Sequence, residues 1–202
     1  VLKHLVIFLH GVGSCGADMI GLGRHWAEAL PDTGFAAPDG PDPFDMYAQA
    51  SGRQWFSVKG VTEDNRAQRL VEAREAFDAT LHAVMAERGI DDPAQVVLVG
   101  FSQGSIMALD AVVSGRWPVA AVVAYSGRLS SPVPWTPAPT PIRLVHGDQD
   151  EVIPFAETLE AAERLTAAGV SADAHILKGL GHSINAPGSR LGRDFLRLSL
   201  LS

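Results

Sequence analysis

Gln95-Val96-Val97-Leu98-Val99-Gly100-Phe101-Ser102-Gln103-Gly104 is the stretch on which the reading of the chain turns. Its first half is an unbroken apolar run, the pattern of a strand buried on both faces. Its second half is a Gly-x-Ser-x-Gly turn that opens a helix ending near Gly115. In such a strand–turn–helix elbow the two glycines let the chain bend tightly and let the helix pack back on the strand. The serine hydroxyl is left exposed at the carboxyl edge of the sheet, close to the positive end of a helix. That is a nucleophile's position. Glycine and serine are common, so the motif needs partners elsewhere before it carries chemistry.

The segments on either side repeat the same grammar. His4 to Leu9 reads as a buried strand ending in the glycine-rich loop His10-Gly11-Val12-Gly13, and Met19, Leu22, Trp26 and Leu30 follow at helical spacing until Pro31. Phe35 to Ala37 is a short strand, and the loop after it runs to about Asp64 with Phe44, Tyr47, Trp55 and Phe56 on it. A loop of that length in a compact domain is usually a functional rim. Leu70, Ala73, Phe77, Leu81 and Val84 mark a long amphipathic helix, capped near Asp64 or Asn65 and ended by Gly89.

Beyond the elbow, Val119 to Ala124 and Ile142 to Val145 are strands separated by a proline-rich loop. Pro154 opens a helix with Phe155, Leu159, Ala162 and Leu165 on one face, Ala172 to Leu177 is the last strand, and Leu191, Phe195 and Leu198 mark a closing helix. Six strands alternating with helices predict one α/β domain over residues 1–202, a mostly parallel sheet with helices on both faces.

Composition narrows the function. With 202 residues, 47% of them hydrophobic, the chain suits one sizeable core, and a net charge of −7 without a basic run argues against nucleic acid as a partner. No apolar stretch is long enough to span a bilayer. The lone Cys15 excludes an internal disulfide and lacks zinc-site spacing, which fits a reducing cytoplasm.

Ligands bind such a sheet outside the carboxyl ends of its strands, where His10 to Gly13, Ser102, Asp148, Asp150 and His182 all fall. A serine hydroxyl needs an imidazole to take its proton and an acid to orient that imidazole. His182 is the preferred base of the seven histidines, because it lies in a glycine-flanked loop after the last strand. Asp148 and Asp150 compete for the acid. Asp150 is preferred because it stands two residues further from its strand, while Asp148 suits the turn. The cluster of His146, Asp148 and Asp150 lacks the spacing of a metal motif, so no metal is expected. Donors for a developing oxyanion are available in the backbone N–H groups of Val12 and Gln103.

Taken together, Leu9-His10-Gly11, Gly52-Arg53-Gln54-Trp55-Phe56, Gly100-Phe101-Ser102-Gln103-Gly104, His146-Gly147-Asp148-Gln149-Asp150 with Val152-Ile153-Pro154, and Gly181-His182-Ser183 resemble the phospholipase/carboxylesterase family, which includes acyl-protein thioesterases. The resemblance spans nearly the whole chain. It implies an α/β-hydrolase fold, Ser102, Asp150 and His182 as the triad, Val12 and Gln103 as oxyanion donors, and esterase, lysophospholipase or thioesterase activity without a cofactor. The chain order Ser…Asp…His is that of these hydrolases.

Departures are visible. Ser105 stands where the family's elbow often has a second glycine, the first two strands of the full hydrolase sheet are missing or precede Val1, and residues 126–141 form a short proline-rich loop where eukaryotic thioesterases have a longer one. No insertion is long enough for a helical cap. An open cleft rimmed by Phe44, Trp55, Phe56, Ile153 and Leu180 is therefore expected, taking a small-molecule ester with a short or medium acyl group. An apolar surface patch would serve a homodimer or a lipid interface equally. Two other readings are a dienelactone-hydrolase-like enzyme, which would normally want cysteine in the elbow, and a non-catalytic hydrolase-fold binding protein, which an intact Ser102, Asp150 and His182 opposes.

Overall fold

The computed structural model describes residues 2–201. Six strands form one sheet in the order β2-β1-β5-β6-β7-β8, built from β1 (His4–Leu9), β2 (Thr33–Ala36), β5 (Val96–Phe101), β6 (Ala121–Tyr125), β7 (Ile142–Gly147) and β8 (Ala172–Leu177). Every pair in it is parallel. β3 (Asp42–Pro43) and β4 (Arg53–Gln54) form a separate antiparallel hairpin inside the long loop.

The period-2 alternation of the strands divides the core. Leu5, Ile7, Leu9, Val96 and Leu98 face one layer, where they meet α2 (Glu63–Arg88), α3 (Gln103–Val113) and α4 (Ala156–Ala167). Val6, Phe8, Val97 and Val99 face the other, against α1 (Gly16–Trp26) and α5 (Ala186–Leu201). Both faces of the sheet are thus covered, which is why its strands are near-continuous apolar runs.

Three helix readings shift. α2 is capped by Thr62 rather than Asp64 or Asn65, because Thr62 and Asn65 form a reciprocal capping box. α4 buries Thr158, Ala161 and Leu165 and leaves Leu159 41% exposed, since the Thr158 hydroxyl is drawn inward by His146. α5 buries Gly188, Gly192 and Leu196 while Leu198 is exposed. Gly192 gives room to the Tyr125 hydroxyl, which donates to the Gly188 carbonyl at 3.0 Å.

Candidate active site

The elbow is built by close approach. A Cβ on Gly104 would collide with the Leu9 carbonyl of the neighbouring strand, and one on Gly100 with the start of the helix it precedes. Between them Ser102 adopts φ 53°, ψ −116°, with its N–H held by the Tyr125 carbonyl at 2.9 Å. A left-handed φ on a non-glycine residue costs on the order of 1 kcal/mol, and the packed elbow imposes it. Ser105, the departure from a second glycine, is fully buried with its Oγ 2.7 Å from both the Gly100 and Tyr125 carbonyl oxygens, so its one hydrogen braces the turn.

At the carboxyl edge, Ser102 Oγ lies 3.0 Å from His182 Nε2, and His182 Nδ1 lies 2.7 Å from Asp150 Oδ2. A carboxylate only accepts, so Nδ1 carries the proton and Nε2 is left to accept from the serine. Asp150 Oδ1 accepts from the N–H groups of Val152 and Ile153, each at 2.9 Å. Burial by itself raises the Asp150 pKa, but the His182 hydrogen bond and these two N–H groups outweigh it and hold the carboxyl below its ordinary value. Asp148 instead accepts from the Gly179 N–H at 2.7 Å and ties the loop after β7 to the one after β8.

The loop after β1 is pinned from the far side of the chain. Gly13 N–H donates to the Arg53 carbonyl and Arg53 N–H to the Ser14 carbonyl, both at 2.8 Å, while the Arg53 guanidinium donates to the carbonyls of Gly40 and Pro41. His10 is wholly buried, accepts from Gly40 N–H at 2.8 Å through Nε2 and donates from Nδ1 to Gly11. The backbone N–H groups of Val12 and Gln103 have no hydrogen-bond partner among the described residues, and both residues line the cavity that contains Ser102.

Two cavities flank the Ser102–His182 pair. One of about 200 Å³ holds Ser102 and is walled by Val12, Phe56, Val58, Ile106, Val152 and Ile153. The other, about 350 Å³, lies on the His182 side against Met19, Leu22, Phe101 and Ile184. Of the five residues expected at the rim, Phe56 and Ile153 line the first cavity and three sit elsewhere. Trp55 is only 1% exposed. The Gln103 amide clamps its N–H and the Phe56 carbonyl, and its indole N–H donates to the His10 carbonyl at 2.9 Å. Those bonds draw it beneath the loop after β1. Phe44 stacks over Gly13 and meets Tyr47 edge-on, outside both linings. Leu180 is half-buried and contributes its carbonyl to the Gln149 N–H. Val58, Ile106 and Val152 were missed. Ile106 stands one helical turn after Ser102, and Val152 two residues after Asp150, so both were within reach of the sequence.

The model of the phospholipase/carboxylesterase family matches residues 2–200. The chain belongs to that family. It is 33% identical to esterase YpfH of Escherichia coli (strain K12) over 198 residues, 98% of this chain and 84% of that one. It is 27% identical over 182 residues to acyl-protein thioesterase 1 of Saccharomyces cerevisiae, covering 80% of this chain and 76% of the other. The crystal structure of esterase PE8 superposes with a TM-score of 0.90 at 35% identity, over 99% of this chain and 94% of that one. This phospholipase/carboxylesterase family member therefore has the α/β-hydrolase fold and is a carboxylesterase-type hydrolase. Among its described residues no helix is long and apolar enough to cross a membrane.

Proposed function

We propose that the chain is a serine carboxylesterase that hydrolyses small esters through an acyl-enzyme on Ser102. The reading rests on the continuous hydrogen-bonded line from Ser102 Oγ through His182 to Asp150. In this reading Ser102 Oγ adds to the ester carbonyl and its proton passes to His182 Nε2, while Asp150 stabilises the imidazolium. The carbonyl oxygen, now anionic, accepts from the free N–H groups of Val12 and Gln103. Collapse expels the alcohol with the proton held by His182. Water then adds to the acyl-enzyme, His182 takes its proton and returns it to Ser102, and the carboxylic acid leaves.

The cavity of about 200 Å³ beside Ser102 supports a short or medium acyl group. It is smaller than the roughly 300–1,000 Å³ typical of pockets for larger ligands. The lone Cys15 and the net charge of −7 support action in a reducing cytoplasm without a nucleic-acid partner.

The test is hydrolysis of p-nitrophenyl esters from acetate to palmitate, with an oxyester, thioester and lysophospholipid of one acyl chain alongside, by wild type and Ser102→Ala. Turnover is expected to fall towards palmitate and to drop about 10⁴-fold or more in the variant. A folded wild type inert on every ester would overturn the reading, and activity rising steadily to palmitate would overturn the short-acyl part of it.

A further inference from the structure

The cavity that holds Ser102 has two cations in its wall, Arg66 from the first turns of α2 and Arg128 from the loop after β6, and apart from Ser102 and Gln103 the rest of the lining is apolar. No carboxylate lines it. Arg128 reaches Glu157 at 3.6 Å, a long contact that leaves most of its donors uncommitted. Arg66 has no side-chain hydrogen bond and no carboxylate within 4.0 Å among the described residues. Burial, and then the charge of Arg128, disfavour the protonated Arg66. Two like charges near one another in a partly desolvated wall are relieved by an anion placed between them, and a carboxylate fits the guanidinium fork.

Geometry says which part of an ester reaches these arginines. In the reaction read above, His182 must hand its proton to the departing oxygen, so the leaving group lies on the His182 side, against Phe101 and Ile184. The acyl group then takes the other cavity, with its methylenes on Val12, Val58 and Ile106 and its far end at Arg66 and Arg128. The same arginines also border an outer groove with Glu63, Glu157 and Glu160, so they form the partition between that groove and the site. The acidic side chains stand on the outer side of it.

We propose that this site selects acyl groups ending in a carboxylate, namely half-esters or half-thioesters of short dicarboxylic acids, with Arg66 and Arg128 holding the distal carboxylate. This deepens the esterase reading and rests on it.

The experiment compares kcat/KM for three esters by titrating released acid: monoethyl glutarate, ethyl pentanoate, and carboxymethyl pentanoate, whose charge is on the alcohol side. Wild type, Arg66→Gln and Arg128→Gln are assayed, and each protein is scored by the ratio of monoethyl glutarate to ethyl pentanoate, which partial misfolding does not alter. The wild-type ratio is expected above about 10, falling towards 1 in both variants. It is also expected to shrink in about 1 M NaCl. Carboxymethyl pentanoate is expected to gain nothing over ethyl pentanoate. A wild type that cleaves ethyl pentanoate with a ratio near 1 or below overturns the proposal and leaves the esterase standing, as does a ratio unmoved by either substitution or a preference for carboxymethyl pentanoate. A folded wild type inert on all three overturns the esterase reading itself.

Discussion

His146 Nε2 lies 3.0 Å from Asp150 Oδ2, the same oxygen that accepts from His182, and both side chains are fully buried. His146 Nε2 is also 2.8 Å from the Ile153 carbonyl, which can only accept, so this nitrogen carries the proton. Nδ1 then accepts from the Thr158 hydroxyl at 2.8 Å. A neutral histidine at the end of β7 thereby helps to fix the carboxylate that His182 meets.

His146→Leu keeps the volume and removes these bonds. We expect kcat to fall about tenfold with little change in KM, and stability to fall by about 1–3 kcal/mol as the Thr158 hydroxyl and Ile153 carbonyl lose their partner. Initial rates and urea unfolding check both. A kcat equal to wild type would show that the backbone N–H groups of Val152 and Ile153 hold Asp150 by themselves.

Ser102 occupies a backbone conformation that glycine adopts freely. Ser102→Gly and Ser102→Ala should both be inactive, and the glycine variant should be the more stable by about 1 kcal/mol. Thermal unfolding of the two, side by side, decides it. Equal melting temperatures would mean the strain at the elbow is relieved elsewhere.

Stability should decline as pH falls from 8 to 5. Burial lowers the pKa of both His10 and His146, so the folded protein keeps them neutral while the unfolded chain binds protons below about 6.5. More protons bound in the unfolded state means that stability rises with pH in this window. Asp150 adds a second loss in stronger acid: its lowered pKa contributes stability that is present above the ordinary carboxylate value near 3.9 and disappears as pH drops through the folded value. Urea midpoints across the range measure the slope, and His146→Leu should flatten its upper part. A flat wild-type profile above pH 5 would contradict the neutral assignment.

Asp110 on α3 is wholly buried and accepts from Arg74 at 2.8 and 2.9 Å and from Arg116 at 2.9 Å, joining α3 to α2. Asp110→Ala leaves Arg74 without its carboxylate and Arg116 with Asp78 alone, and should cost about 3–5 kcal/mol in urea unfolding. A loss under 1 kcal/mol would mean that Asp78, which already pairs with Arg116 at 3.0 Å, takes over.

The centre of the sheet was legible because β1, β5 and β6 are buried on both faces and read as bare apolar runs between turns, whereas the edge strands β2 and β8 are only half-buried and are marked by the helices on either side of them. Ser102, Asp150 and His182 were legible because every one of them follows a strand, and parallel strands deliver their ends to one edge. What escaped the sequence depends on partners far away in the chain. Trp55 reads as a loop aromatic until Gln103, 48 residues on, claims its N–H. The apolar spacing puts Leu159 on the inner face of α4, where the Thr158 hydroxyl meets His146 instead, and the inner face of α5 includes Gly192, which yields to Tyr125 and which no hydrophobic periodicity reports.

The tether between Ser14 and Arg53 separates two jobs that the long loop performs. Residues 45–51 lie beyond the paired residues of the hairpin, with Tyr47 71% exposed, whereas Gly13 and Ser14, next to Val12, are bonded to its Arg53. The bulge can be lengthened, shortened or recoloured over evolutionary time without moving the Val12 backbone beside Ser102. Drift in this outlying segment, which lines neither cavity beside Ser102, therefore leaves the backbone around the serine where it is.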